Sequence, residues 1–163
     1  MQKRDWRVED TLFPVKEDPI FLRDGKDSGY KFIMREDTGD VISCVTNDYK
    51  LVENQTLFKS TDKIAKKLGG TLVEARAYNN KMTNYKWRFK TPIKLAKGEE
   101  HKPEIMIRNS YDGSCEVSIM AGAFRLVCSN GMVIGTVLDN VSNRHSVFNK
   151  NLEDIEGMID ESV

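Results

Sequence analysis

The residues best suited to chemistry in this chain are cations. Lys59, Lys63, Lys66 and Lys67 recur at spacings of three and four, while Lys86, Arg88 and Lys90 alternate with Tyr85, Trp87 and Phe89. The first spacing sets ammonium groups along one side of a helix, and the second sets cations on one face of a strand and aromatics on the other. If the two elements are neighbours, the seven cations form one surface that could follow a phosphate backbone. The bland alternative is that they solvate the outer faces of an ordinary helix and strand. Arg125, in an otherwise apolar run, is a further candidate for a phosphate or partner contact, with a paired structural arginine as its alternative.

Other chemistries find less support. Cys44, Cys115, Cys128, His101 and His145 carry enough ligand atoms for zinc, but none has the close spacing of known sites. Cys128 and His145 lack a third group to orient them as nucleophile and base. Three cysteines in apolar contexts read as buried free thiols of a reducing compartment. Gly69-Gly70 reads as a helix stop, and Glu99-Glu100 as solvated loop carboxylates. Asn109, Asp112 and Asn130 could be recognition or catalytic groups, yet such residues at hairpin turns usually bond the local backbone. The expectation is a non-enzymatic protein with no metal and no cofactor.

The elements that must position these groups are mostly hairpins. Residues 104–135 read as a three-stranded meander, Ile105 to Asn109, Cys115 to Ala121 and Ala123 to Cys128, with a type I′ turn at Tyr111-Asp112-Gly113-Ser114. Tyr30 to Arg35 and Val41 to Thr46 form a hairpin across Glu36 to Asp40. Thr71 to Tyr78 and Met82 to Lys90 form another, turning at Asn79-Asn80-Lys81. Between them the spacing predicts a helix from an Asn54 cap to Leu68, with Leu57, Thr61, Ile64, Ala65 and Leu68 inward. Thr91 to Lys102 reads as a loop, and Asn151 to Glu161 as a short terminal helix.

The sum is a single α+β domain over residues 1–163. An extensive antiparallel sheet of successive hairpins and a meander is covered by one main helix plus a short C-terminal helix. Residues 1–29 are an irregular N-terminal segment supplying packing pieces or short strands, and 148–163 the short C-terminal helix. At 163 residues, 39% hydrophobic and 31% charged, the chain has the composition of a soluble globular domain. It has neither a membrane-length apolar run nor a secretion signal, so the expected setting is cytosolic. The net charge of zero hides an asymmetry: residues 59–102 carry 12 Lys and Arg against 4 Asp and Glu.

Four motifs in order carry a resemblance. They are Arg35 to Val41 (REDTGDV), Val45 to Asn54 (VTNDYKLVEN), Asn109 to Ser114 (NSYDGS) and Arg125 to Asn130 (RLVCSN). In order and spacing the chain resembles the phage/plasmid-like proteins of domain of unknown function 932, over roughly residues 30–147. Arg144-His145 also falls where that family tends to have such a pair. Tyr111 stands where the family's motif commonly has His, and many members continue beyond the one short helix read here. The resemblance marks Asn109, Asp112, Gly113, Cys128, Asn130, Arg144 and His145 as motif residues of unknown role. It implies a gene of a virus or mobile element acting in a bacterial cytoplasm, and it supplies no reaction.

Two functions follow as expectations. The first is a nucleic-acid-binding accessory factor in replication or recombination, binding or annealing single-stranded DNA or RNA; a homo-oligomer in the form of a ring or filament would favour it. For that role Tyr78 or Tyr111 could serve as exposed stacking platforms, since Tyr85, Trp87 and Phe89 belong to a core. The second is a protein-binding module that blocks a host factor such as a defence nuclease.

Overall fold

Short-range turn chemistry folds most of this chain into antiparallel hairpins. The computed structural model describes residues 6–90, 93–94, 100–101, 103–126 and 133–143. A 3₁₀ turn at Val8–Thr11 precedes β1 (Val15–Phe21), β2 (Asp27–Arg35) and β3 (Val41–Thr46). Helix α1 (Asn54–Lys67) leads to β4 (Thr71–Tyr78) and β5 (Met82–Arg88). The short strands β6 (Ile93–Lys94) and β7 (Glu100–His101) pair with each other. Then come β8 (Glu104–Ser110), β9 (Val117–Leu126) and β10 (Val133–Asn143).

The class is α+β with antiparallel strands throughout, but the strands divide into two main sheets rather than one. One has the order β1-β2-β3, and the other β10-β9-β8-β5-β4. Both expected hairpins are present. The β2–β3 connection places Gly39 at φ 76°, and the β4–β5 turn places Asn79 and Asn80 at φ 50 and 58°, a conformation that asparagine tolerates.

Four expectations need correction. Residues 15–21 are a strand and β2 begins at Asp27, so the N-terminal segment is not irregular throughout: it supplies the short strands of the alternative reading. The two runs split at Gly122 are one strand, because Gly122 pairs with Glu104 on one side and Val137 on the other without reversing the chain. At Asp112-Gly113 only Gly113 has positive φ, at 71°, so the turn is not type I′. Asp112 Oδ1 instead accepts the Ser114 N–H at 2.9 Å, an Asx turn. Finally, Glu53 occupies the N-cap position of α1 with extended backbone and no side-chain bond, and Asn54 is its first helical residue. Asn130, expected at a hairpin turn, and the expected terminal helix lie outside the described residues.

Helix α1 forms because its apolar stripe has a surface to cover. Leu57, Thr61 and Ala65 are buried, and Phe58 lies against Tyr85 at 5.1 Å and Trp87 at 5.8 Å between ring centroids. Tyr85 and Trp87 are wholly buried in this layer with Ile105, Ile107 and Val117. Each large side chain so buried contributes about 1.5–3 kcal/mol. The helix stops in a Schellman motif: the Gly70 N–H donates to Ala65 O at 2.7 Å and the Gly69 N–H to Lys66 O at 3.0 Å. Gly69 holds φ 82°, and a Cβ on Gly70 would lie 2.9 Å from both Ala65 O and Phe89 Cε1.

Candidate functional site

The period of two along β5 decides where the predicted cations go. Tyr85 and Trp87 turn towards α1, so Asn84, Lys86 and Arg88 project from the opposite face of the five-stranded sheet. The lysines of α1 project away from the sheet on the helix side. The seven cations therefore do not share one surface, because a whole sheet separates the two groups.

On the far face the cations are engaged with carboxylates. Lys86 is buried, with its Nζ 3.3 Å from Glu74 Oε2 and 3.9 Å from Glu104 Oε2. Arg88 reaches Glu104 Oε1 at 2.6 Å, Arg76 reaches Glu74 Oε1 at 3.2 Å, and Arg108 Nε donates to Asn84 Oδ1 at 3.2 Å. Lys86 is thus a structural ion-pair partner rather than a contact for a ligand. Lys90 is exposed. The sequence showed the alternation of these cations, and the hairpin turning at Asn79–Lys81 sets Glu74 opposite Lys86, but Glu104 becomes a partner only through the pairing of β5 with β8.

On α1 the four lysines Lys59, Lys63, Lys66 and Lys67 are all exposed. Lys66 pairs with Asp62 at 2.7 Å, one turn away. Asp62 is occupied from beneath as well, since its Oδ1 accepts the Trp87 indole N–H at 3.0 Å. Among the described residues no ion pair engages Lys59, Lys63 or Lys67. Four cations against one carboxylate make this helix the most basic continuous exposed element described.

The motif residues assemble a different structure, a buried polar junction where the helix and both sheets meet. Asn54 is its centre. Its backbone N–H donates to Tyr111 Oη at 2.9 Å, and its side-chain amide donates to Thr11 O at 3.1 Å. Its Oδ1 accepts from Thr83 Oγ1 at 2.9 Å and from Asn109 Nδ2 at 2.8 Å. Asn109 Nδ2 also lies 2.8 Å from Val52 O. Tyr49 Oη donates to Ser110 O at 2.7 Å, and Ser43 Oγ donates to Tyr111 O, so both residues tie the chain around β3 to the end of β8. Phe13, Ile33, Ile42 and Val45 pack around Tyr49 and Tyr111 in the same cluster.

Tyr111 is wholly buried and cannot act as an exposed stacking platform. Tyr78 is half-buried. Burial pushes the Tyr85 phenol up to about 12 and raises those of Tyr49 and Tyr111 further, so all three remain neutral hydrogen-bonding groups. Most of the junction's donors are spent on one another and on backbone carbonyls, which ties the sheets together, while Asn109 Oδ1 is buried without a hydrogen-bond partner among the described residues. The junction's less visible members, Thr83 and Asn54, were legible in sequence only as a polar residue in a strand and a helix cap.

The remaining candidates are placed as follows. Arg125 lies in β9 opposite Ile134. Asp112 and Gly113 form the local turn already described. Cys128, Asn130, Arg144 and His145 lie outside the described residues. Cys44 is an exposed free thiol, and Cys115 is a half-buried one whose pKa burial raises. Among the described residues no group of three or more His, Cys, Asp or Glu side chains could hold a metal ion, and no helix is long and apolar enough to cross a membrane.

No solved structure matches the chain. The motifs that build the junction, from β3 through Asn54 to Asn109 and Ser114, fall within residues 41–162, which match the family model described as Domain of unknown function (DUF932). The chain belongs to that family.

Proposed function

We propose that this protein is a non-enzymatic nucleic-acid-binding accessory factor of a phage or plasmid-like element, serving replication or recombination in a bacterial cytoplasm. Its contact surface is the outer face of α1. The observation that carries this reading is the exposure of Lys59, Lys63, Lys66 and Lys67 on one helix, with Asp62 as their one local counter-charge. A helix presenting four ammonium groups along about two turns can track successive phosphates, releasing counterions at each contact. Lys86 and Arg88 take no part, because Glu74 and Glu104 neutralise them on the other side of the sheet.

The test is fluorescence anisotropy of labelled single- and double-stranded oligonucleotides over a range of salt. The expected result is an affinity whose logarithm falls linearly with the logarithm of salt. Replacing the four lysines of α1 with Gln should reduce that slope by about 0.7 per lost single-strand contact. Lys26→Gln, in the turn between β1 and β2, should leave it unchanged. Absence of binding at low salt would sink this reading and favour the alternative, a protein-binding module that inhibits a host factor such as a defence nuclease.

A further inference from the structure

The three-stranded sheet has one packed side and one bare side. Val15, Ile33 and Val45 face the core between the sheets. On the other side the ladder register sets two outward rows next to each other. One row is Lys16, Met34 and Val41, and the other is Asp18, Phe32 and Cys44, each read across β1, β2 and β3. Val41 is 53% exposed, Tyr30 just beyond the second row is 50% exposed, and Cys44 is exposed too. With half-buried Met34 and Phe32 between them, these side chains form a contiguous apolar strip across a face whose ladder shifts register at Met34, and such a strip marks an interaction surface.

Charge and edge chemistry restrict the partner. Lys16 and Asp18 balance each other on this face, so it offers no net positive field to a phosphate backbone. Pro19 lies in the edge strand β1 and lacks an N–H, which disfavours extension of the sheet along that edge.

We propose that this face packs on the same face of a second copy of the chain, about a two-fold axis that crosses the strands between the two rows. Such an axis turns each row onto the other. Lys16 meets the partner's Asp18, Met34 meets the partner's Phe32, and Val41 meets the partner's Cys44. All three pairings are complementary: an ion pair, a thioether on an aromatic ring, and two small apolar groups. The arrangement is an aligned sandwich with its sheets about 10 Å apart. Three short strands cover little area, so the dimer belongs with weak, concentration-dependent interfaces. The inference is independent of the nucleic-acid reading, which uses α1.

Sedimentation equilibrium of the full chain over a hundredfold range of concentration tests it, with circular dichroism melts to confirm that each variant folds. A reversible monomer–dimer equilibrium is expected, weakened about tenfold or more by Val41→Asp. Lys16→Asp and Asp18→Lys should each weaken it about tenfold, and the double swap should restore most of the loss, since the ion pair is then reversed rather than removed. A monomer at every concentration overturns the proposal. So does a dimer indifferent to Val41→Asp, or a double swap no better than the single ones. An oligonucleotide that shields Cys44 from a maleimide while the protein stays monomeric would overturn it in favour of a nucleic-acid face.

Discussion

On the helix-facing side of the five-stranded sheet, Asn54, Thr83 and Asn109 bury neutral amides and a hydroxyl in mutual hydrogen bonds. On the opposite side of the same strands, Lys86 is buried between Glu74 and Glu104. Strands β5 and β8 supply both clusters, one residue out of step. The neutral cluster relies on geometry, because every donor must find one acceptor. The charged cluster relies on balance, because burying an ion is tolerable only beside an opposite one. The junction therefore fixes how the two sheets meet, and the ion pairs keep a polar face from being an open cationic one.

That contrast can be broken most forcefully at its centre. Asn54→Ala should cost about 3–4 kcal/mol in urea unfolding, since Thr83 Oγ1 and one Asn109 N–H lose their buried acceptor and Thr11 O keeps only the 3.4 Å bond from Tyr85 Oη. A loss below 1 kcal/mol would show that the junction is not cooperative. Glu104→Gln should cost about 2 kcal/mol, since it removes the charge that Arg88 pairs with at 2.6 Å and leaves buried Lys86 with Glu74 alone. Adding Lys86→Met to that variant should recover stability, a rescue that no second change at Asn54 would provide.

Alkaline pH separates the faces more gently. Burial raises the Tyr85 phenol from 10.0 to about 12, so the unfolded chain ionises first. Stability is full below pH 10.0 and declines as pH rises towards about 12, and Tyr49 and Tyr111 act in the same direction. Unfolding titrations across that window should show the decline, and Tyr85→Phe should make it shallower. The smallest effect is expected outside both clusters. Lys66→Gln breaks an exposed ion pair with Asp62 and should change stability by under about 0.5 kcal/mol, even though it contributes to the proposed nucleic-acid slope.

The sequence by itself determined the local elements. The hairpins at Glu36–Asp40 and Asn79–Lys81 were legible because glycine and asparagine mark positive φ, and α1 because its apolar residues recur at helical spacing. Period-two alternation along β5 separated aromatics from cations correctly. The tertiary structure alone decided the rest of what those cations meet. The β4–β5 hairpin already sets Glu74 opposite Lys86, but Glu104 reaches Lys86 and Arg88 only through the pairing of β5 with β8, and α1 covers the aromatic face, which puts its lysines on the far side from Arg88. It also decided that Asn54 is a buried hub rather than a cap, since Thr11, Thr83, and Asn109 with Tyr111 converge on it from three separate parts of the chain. Turn and helix propensities act over a few residues and are written in neighbours. Ion pairs and buried hydrogen bonds act over a few ångströms of space, and folding sets those distances between residues far apart in sequence.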